Sequence, residues 1–136
     1  MTKIKYDAHL MKIISIFESV TGAKIKDCIL NERLLFIVEE NEIGKAIGKR
    51  GINIKRLEDM LKKKIRVAGF SPDVLQFIKN LLYPLQTTNI ENNDGIITIR
   101  ADTKTKALII GRNKQNLNNS IAIVKRYFDI EDIKVV

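Results

Sequence analysis

Apolar residues recur at helical spacing near the start of the chain, where Leu10, Ile13, Ile14, Phe17 and Val20 share one face. Asp7 stands where a helix cap belongs, and Gly22 suits the first position beyond the helix. From Ala23 to Leu30 the pattern shortens to an alternation, with Ile25 and Ile29 on one side and Lys24, Lys26 and Cys28 on the other. Asn31-Glu32 reads as a turn. Arg33 to Glu39, carrying Leu34, Leu35, Phe36, Ile37 and Val38, has the length and β-forming content of a strand. A short helical turn over Ile43–Ile47, a glycine-bracketed loop, and a helix from Ile52 to about Lys62 follow, the helix turning Ile54, Leu57 and Leu61 inward. Lys64 to Ala68 reads as a closing strand.

The second half repeats this order. Ser71-Pro72 predicts a helix start, with Ser71 as cap and Pro72 in the first turn. The helix carries Val74, Leu75, Ile78, Leu81 and Leu82 and stops at Pro84. Leu85 to Glu91 reads as a strand, Asn93-Asp94-Gly95 as a hairpin turn, and Ile96 to Ala101 as the next strand. Thr103 can cap a short helix ending at Ile110. A loop from Gly111 to Lys114 then precedes a helix carrying Leu117, Ile121, Val124 and Phe128, and Ile133 to Val136 closes as a strand. At one constant offset Gly48 matches Gly111, Asn53 matches Asn116, Ile54 matches Leu117 and Leu61 matches Val124. The chain is therefore expected to be two copies of one small α+β domain, over residues 1–68 and 69–136. Each copy is near the lower size limit for a self-sufficient core, and the joint Gly69-Phe70 is too short for a tether. The copies are expected to pack in a nearly fixed orientation.

Composition narrows the classes. Of the 136 residues 45% are hydrophobic, too many for a disordered chain, and the length is too short for a (β/α)₈ barrel. One cysteine, Cys28, cannot form an intrachain disulfide, and with one histidine, His9, it cannot build a His/Cys zinc site. No signal peptide and no 18-residue apolar run is visible, so a soluble, cytoplasmic protein without cofactor is expected. The net charge of +8 points to a polyanionic partner. That charge is concentrated. Residues 45–66 hold nine basic residues against Glu58 and Asp59, a window charge of +7, and residues 103–128 hold six basic residues and no acid. Any single lysine there reads as part of a solvated helix face; two clusters at matching places in the two halves read as a binding surface.

The most informative stretch is Ile47-Gly48-Lys49-Arg50-Gly51-Ile52. Two glycines without side chains let a phosphodiester backbone lie against the loop. The following helix aims its first amides at a phosphate, and Lys49 and Arg50 add charge. This is the arrangement of the GXXG loop that clamps nucleic-acid backbone in a KH domain. A P-loop does not fit, because Ala46 and Arg50 stand where the Gly-Lys pair needs Ser or Thr, and Glu39 and Ile43 stand where its first glycine belongs.

The run Glu42-Ile43-Gly44-Lys45-Ala46-Ile47-Gly48-Lys49-Arg50-Gly51-Ile52-Asn53-Ile54-Lys55-Arg56-Leu57-Glu58 resembles the first KH domain of NusA-type transcription factors. Ala122 to Val136, with Lys125-Arg126-Tyr127-Phe128, resembles the end of their second KH domain, and the length matches the short archaeal NusA-like proteins. The resemblance implies two tandem type II KH domains, each a three-stranded mixed sheet with helices packed on one face. It implies an RNA-binding factor, not an enzyme, acting in transcription elongation, termination or antitermination, with single-stranded RNA as ligand and RNA polymerase as a candidate partner. Carried over residue by residue, Gly48, Lys49, Arg50 and Gly51 form the first clamp, and Gly111, Arg112, Asn113 and Lys114 fall at the second. There Lys114 departs from the pattern by replacing a glycine.

In KH domains bases lie in an apolar groove beside the clamp. Ile47, Ile52, Ile54, Ile65 and Val67 are candidates; Ile54 and Leu57 read as core, and Ile47, Ile52 and Val67 as base contacts. Lys55 and Arg56 extend the basic surface. Asn53 and Asn116 read as cap or turn partners. Aromatic residues make up 6% of the chain and avoid the loops, against a stacking platform; Phe17, Phe36 and Phe77 read as core. His9 reads as a surface residue without a partner. Glu39, Glu40 and Glu42 read as first-turn charges favoured by a helix dipole, not as metal ligands. Other classes compatible with the pattern are a KH protein of ribosome biogenesis or RNA decay, a phosphate-handling enzyme, and a scaffold that binds only protein. The expected state is a monomer with no membrane attachment.

Overall fold

A computed structural model describes residues 8–30 and 33–136. The proposed cap Asp7 and the proposed turn Asn31-Glu32 lie outside the described residues. The chain divides between Ser71 and Pro72 into two compact units. The first runs α1 (Ala8–Thr21), β1 (Ile25–Leu30), β2 (Leu34–Glu39), a 3₁₀ turn over Glu40–Glu42, α2 (Ile43–Ile47), a second 3₁₀ turn over Lys49–Gly51, α3 (Ile52–Leu61) and β3 (Ile65–Phe70). The second runs α4 (Val74–Leu82), β4 (Asn89–Asn93), β5 (Ile96–Arg100), α5 (Thr103–Ile110), a 3₁₀ turn over Arg112–Lys114, α6 (Gln115–Lys125) and β6 (Asp132–Val135). The architecture is α+β. In each unit the middle strand of a three-stranded mixed sheet is antiparallel to the strand before it and parallel to the strand after it. The parallel pair follows from the two helices that separate its strands in sequence, which carry the chain back before it re-enters the sheet. Gly69 and Phe70, the expected joint, are the last residues of β3 and pair with Val38 and Glu39.

The first core forms where α1, α2 and α3 cover one face of β1–β3. Ile13, Phe17, Leu34, Phe36, Val38, Ala46, Leu57 and Ile65 are buried together. Phe17 stacks on Phe36 with centroids 4.1 Å apart, joining α1 to the central strand. Leu35 and Ile37, which alternate with these along β2, are buried as well. This explains why β2 reads as a continuous apolar run rather than an alternation.

The alternation expected along β1 is broken by a bulge between Ile25 and Asp27. One extra residue resets the side-chain frame. Cys28 therefore comes opposite Phe36 and enters the core, while Ile29 is only half-buried. Asp27 is fully buried, and its Oδ1 accepts the Cys28 N–H at 2.8 Å.

Three expected boundaries in the second unit shift. Helix α4 starts at Val74, not at Ser71-Pro72, because Asp73 is the cap, its carboxylate accepting the Leu75 N–H at 3.3 Å. Asp102, not Thr103, caps α5 by accepting the Thr105 N–H at 2.7 Å; the hydrogen bonds from Thr105 hold its carboxyl below the usual carboxylate range. Leu85 belongs to a turn, its N–H donating to Leu82 O at 2.8 Å, and β4 is instead the polar run Asn89–Asn93. This strand is held by its ladder to β5 rather than by apolar content, and Ile90 is its one half-buried residue. The hairpin turn falls on Asp94-Gly95, both at positive φ, with the Asn92 carboxamide accepting the Gly95 N–H at 2.9 Å. Phe128 lies beyond the end of α6 but still packs, with Tyr127, against the buried Phe77. Among the described residues no helix is long and apolar enough to cross a membrane.

Burial first, and the Asp27 carboxylate second, push the Cys28 thiol from 9.0 up to about 12. In the unfolded chain the thiol ionises first. The stability linked to keeping it protonated is thus present below pH 9 and lost as pH rises towards 12. Folded protein at pH 8 should leave Cys28 unreactive towards an aromatic disulfide reagent until denaturant is added. Denaturation midpoints should fall more steeply above pH 9 in the wild type than in Cys28→Ala.

Candidate functional site

The site begins with how tightly α2 sits on its sheet. A Cβ on Gly69 of β3 would come within 2.5 Å of Ile43 Cδ1 and 3.2 Å of Glu40 Cγ, so the side chains of the 3₁₀ turn and α2 pack directly on the bare backbone of β3. Ala46 is fully buried and anchors α2, and Leu57, also fully buried, anchors α3. With both helices fixed, residues 48–51 between them form a short connection at the surface.

Its shape is set by one side chain. Asn53, in the first turn of α3, donates from Nδ2 to the carbonyl of Lys45 in the last turn of α2 at 2.8 Å. The carboxamide lies directly over Gly48, where a Cβ would meet Asn53 Cγ and Nδ2 at 2.8 Å. Gly48 is also at φ +76°, so the position excludes a side chain on two grounds. Arg50 (φ +57°) and Gly51 (φ +74°) follow in the left-handed region, and the Gly51 N–H closes the turn on Gly48 O at 3.1 Å.

The second unit builds the same connection. Asn116 Nδ2 donates to Leu108 O at 3.0 Å, and a Cβ on Gly111 would meet its Cγ at 2.6 Å. Backbone angles match along the loop. Gly111 (φ +75°, ψ 177°) repeats Gly48 (φ +76°, ψ 171°), Asn113 (φ +54°) repeats Arg50, and Lys114 (φ +61°, ψ 19°) repeats Gly51 (φ +74°, ψ 20°). The replacement of glycine by Lys114 leaves the loop's path unchanged. Unlike at Gly48, a Cβ at Gly51 meets nothing within 4 Å, so a side chain at this position costs only the left-handed backbone, about 1 kcal/mol.

Neither α3 nor α6 has a side-chain cap, so their first turns offer backbone rather than a carboxylate or hydroxyl to the loop side. Lys49, Arg50, Lys55 and Arg56 are exposed and, among the described residues, form no ion pair. Lys45 and Lys62, in the same basic window, are instead paired with Glu42 at 3.3 Å and Asp59 at 3.4 Å. Arg66 is half-buried; burial first, and then Arg33, lower its pKa. Arg112, Asn113 and Lys114 are exposed on the second loop. Of the apolar candidates, Ile52 is 50% exposed, Ile47 is half-buried, and Val67 is half-buried against the core. Ile65 is 6% exposed and is a core residue, unavailable to a ligand, because its place in β3, opposite Leu34, puts it in the buried cluster with Phe17, Leu34 and Leu57 rather than in a groove. Asn53, Asn116 and Gly69 are positioning residues that composition alone does not single out; the recurrence of Asn at one offset is the signal that could reveal the first two.

Residues 12–71, which include this loop and both flanking helices, match the model of the KH domain family. Over 141 residues the chain is 33% identical to a protein of Methanocaldococcus jannaschii named "Probable transcription termination protein NusA", covering all of this chain and 77% of that one. The chain belongs to the archaeal NusA-like family. A NusA-like protein of Thermoplasma acidophilum carrying the same name is 29% identical over 140 residues, with 99% of this chain and 97% of that one covered. Among solved structures, the crystal structure of APE1850 superposes with a TM-score of 0.70 at 30% identity, covering 93% of this chain and 96% of that chain.

The two loops of this NusA-like chain make opposite predictions for substitution at their two glycine positions. Gly48→Ala should cost well over 2 kcal/mol, since it adds a clash with Asn53 to the backbone strain. Gly51→Ala should cost about 1 kcal/mol, and Lys114→Gly should stabilise the second unit by up to about 1 kcal/mol. Urea denaturation of the three variants beside the wild type measures the order.

Proposed function

We propose that the chain is a non-enzymatic, RNA-binding transcription factor of the termination and elongation class, built of two tandem type II KH domains. Each unit has the order helix, strand, strand, helix, helix, strand expected of that domain type. The observation that carries the reading is the 48–51 loop. It combines a backbone free of side chains at Gly48 and Gly51, an uncapped start of α3, and exposed, unpaired cations on Lys49 and Arg50. A phosphodiester strand meets there the open backbone at Gly51, where a Cβ would touch nothing within 4 Å, and the positive charge of Lys49 and Arg50. Lys55 and Arg56 add charge along α3, while Ile47, Ile52 and Val67 supply the apolar surface on which bases rest. The family name of the relatives supports placing this grip on a transcript, with RNA polymerase as the partner.

The second loop has the same backbone, so it contributes a weaker contact through Arg112 and Lys114, without the bare glycine at its last position. Binding to a random single-stranded RNA pool tests the reading. Lys49→Asp/Arg50→Asp should lose at least about ten-fold in affinity and flatten the dependence on salt, whereas Arg112→Ala/Lys114→Ala should lose less. Unchanged affinity in the first variant with abolished binding in the second would overturn it, as would a preference for duplex RNA. Retained far-UV circular dichroism in both variants separates binding from folding.

A further inference from the structure

We propose that the turn after α3, Lys62-Lys63-Lys64, holds a second phosphate of the RNA strand gripped by the 48–51 loop; this rests on the RNA-binding reading above. Helix α3 is ten residues long, so the loop and the lysine turn lie at its two ends, about 15 Å apart. Lys62 takes a left-handed conformation, φ +56°, which turns the chain sharply out of the helix. Lys62, Lys63 and Lys64, together with Glu58, line an open depression of about 240 Å³, with room for a phosphate and part of its hydration shell.

The charges at this depression are unequally engaged. The Glu58 carboxylate accepts the Ile65 N–H at 3.0 Å and is thereby committed to the start of β3. Lys62 is paired with Asp59 at 3.4 Å. Lys63 and Lys64 are exposed and, among the described residues, form no ion pair. One cation near the last turn suffices to complement a helix dipole, and Lys62 already fills that role. Lys55 and Arg56 lie exposed between the loop and this turn, giving a basic path from one end of α3 to the other. In the second unit the matching positions on α6 are Asn118 and Asn119, and the matching turn is Lys125-Arg126-Tyr127, so the path is specific to the first copy. The chemistry favours phosphate over a protein partner. Lysine is depleted from protein–protein interfaces, which use aromatic and arginine anchors, and Met60 is the one large exposed apolar residue on α3 near the turn.

The test uses the full chain with single-stranded RNA of about four nucleotides, the length a clamp loop spans, and a strand about three times longer. Lys63→Ala/Lys64→Ala should bind the short RNA as the wild type does. It should bind the long RNA about five-fold more weakly, with a salt slope reduced by about 0.7 for each phosphate no longer neutralised. Lys12→Ala/Lys24→Ala, which removes the same charge from exposed positions elsewhere, should change neither by as much. Equal losses on both lengths, no loss on the long strand, or a loss seen only in binding to a protein partner would overturn the proposal. Lys49→Asp/Arg50→Asp separates it from the clamp. That variant should weaken both lengths, and normal binding by it removes the clamp reading instead.

Discussion

The hydrogen bond from Asn53 across Gly48 to the Lys45 carbonyl is the contact on which the site's geometry depends. It satisfies one of the carbonyls left open at the end of α2 and fixes the direction in which α3 departs. Because the carboxamide occupies the space a Cβ would need, it also forces glycine at residue 48. The loop's bare backbone is thus a consequence of how the two helices are joined. The same contact, Asn116 over Gly111 to Leu108, joins α5 to α6. What differs between the copies is what each loop displays: Lys49, Arg50 and Gly51 on one, Arg112, Asn113 and Lys114 on the other.

The core makes this loop possible by holding the helices from below. Ala46 and Leu57 seat α2 and α3 on a central strand that is buried along Leu34–Val38. At Gly69 the side chains of Ile43 and Glu40 pack directly on the backbone of β3. The apolar faces of the helices are spent on this packing, and their outer faces carry the cations. Within the basic window, Lys45 and Lys62 are paired with acids, and Lys49, Arg50, Lys55, Arg56, Lys63 and Lys64 form no ion pair among the described residues. The unpaired cations therefore run from the loop along α3 to the turn that follows it.

Much of this was legible in the sequence, because the signals involved are local or repeated. The constant offset between Gly48 and Gly111 and between Asn53 and Asn116 foretold two loops, and their backbone angles agree closely. Asp94-Gly95 marked its hairpin because both residues tolerate positive φ. What escaped were features decided by tertiary structure. The bulge in β1 sent Cys28 into the core against the apparent alternation. The asparagine-rich β4 forms because β5 offers a ladder, not because its side chains favour a strand. Ile65 looked available for a groove until the register with Leu34 placed it in the core. Asp73 and Asp102 displaced the expected hydroxyl caps because a carboxylate one or two residues away accepts the first-turn amides of Leu75 and Thr105. The packing of Ile43 on the backbone of β3 at Gly69 is invisible until the helix is seen against the sheet.

The most direct measurement of the clamp is residue-resolved amide chemical shifts during titration with single-stranded RNA. The largest changes should fall on the amides of residues 48–52, with the Ile47, Ile52 and Val67 methyl groups moving in step and the residues 111–114 responding at higher RNA concentration. Large changes elsewhere on the chain, with the amides of residues 48–52 unmoved at saturation, would contradict it.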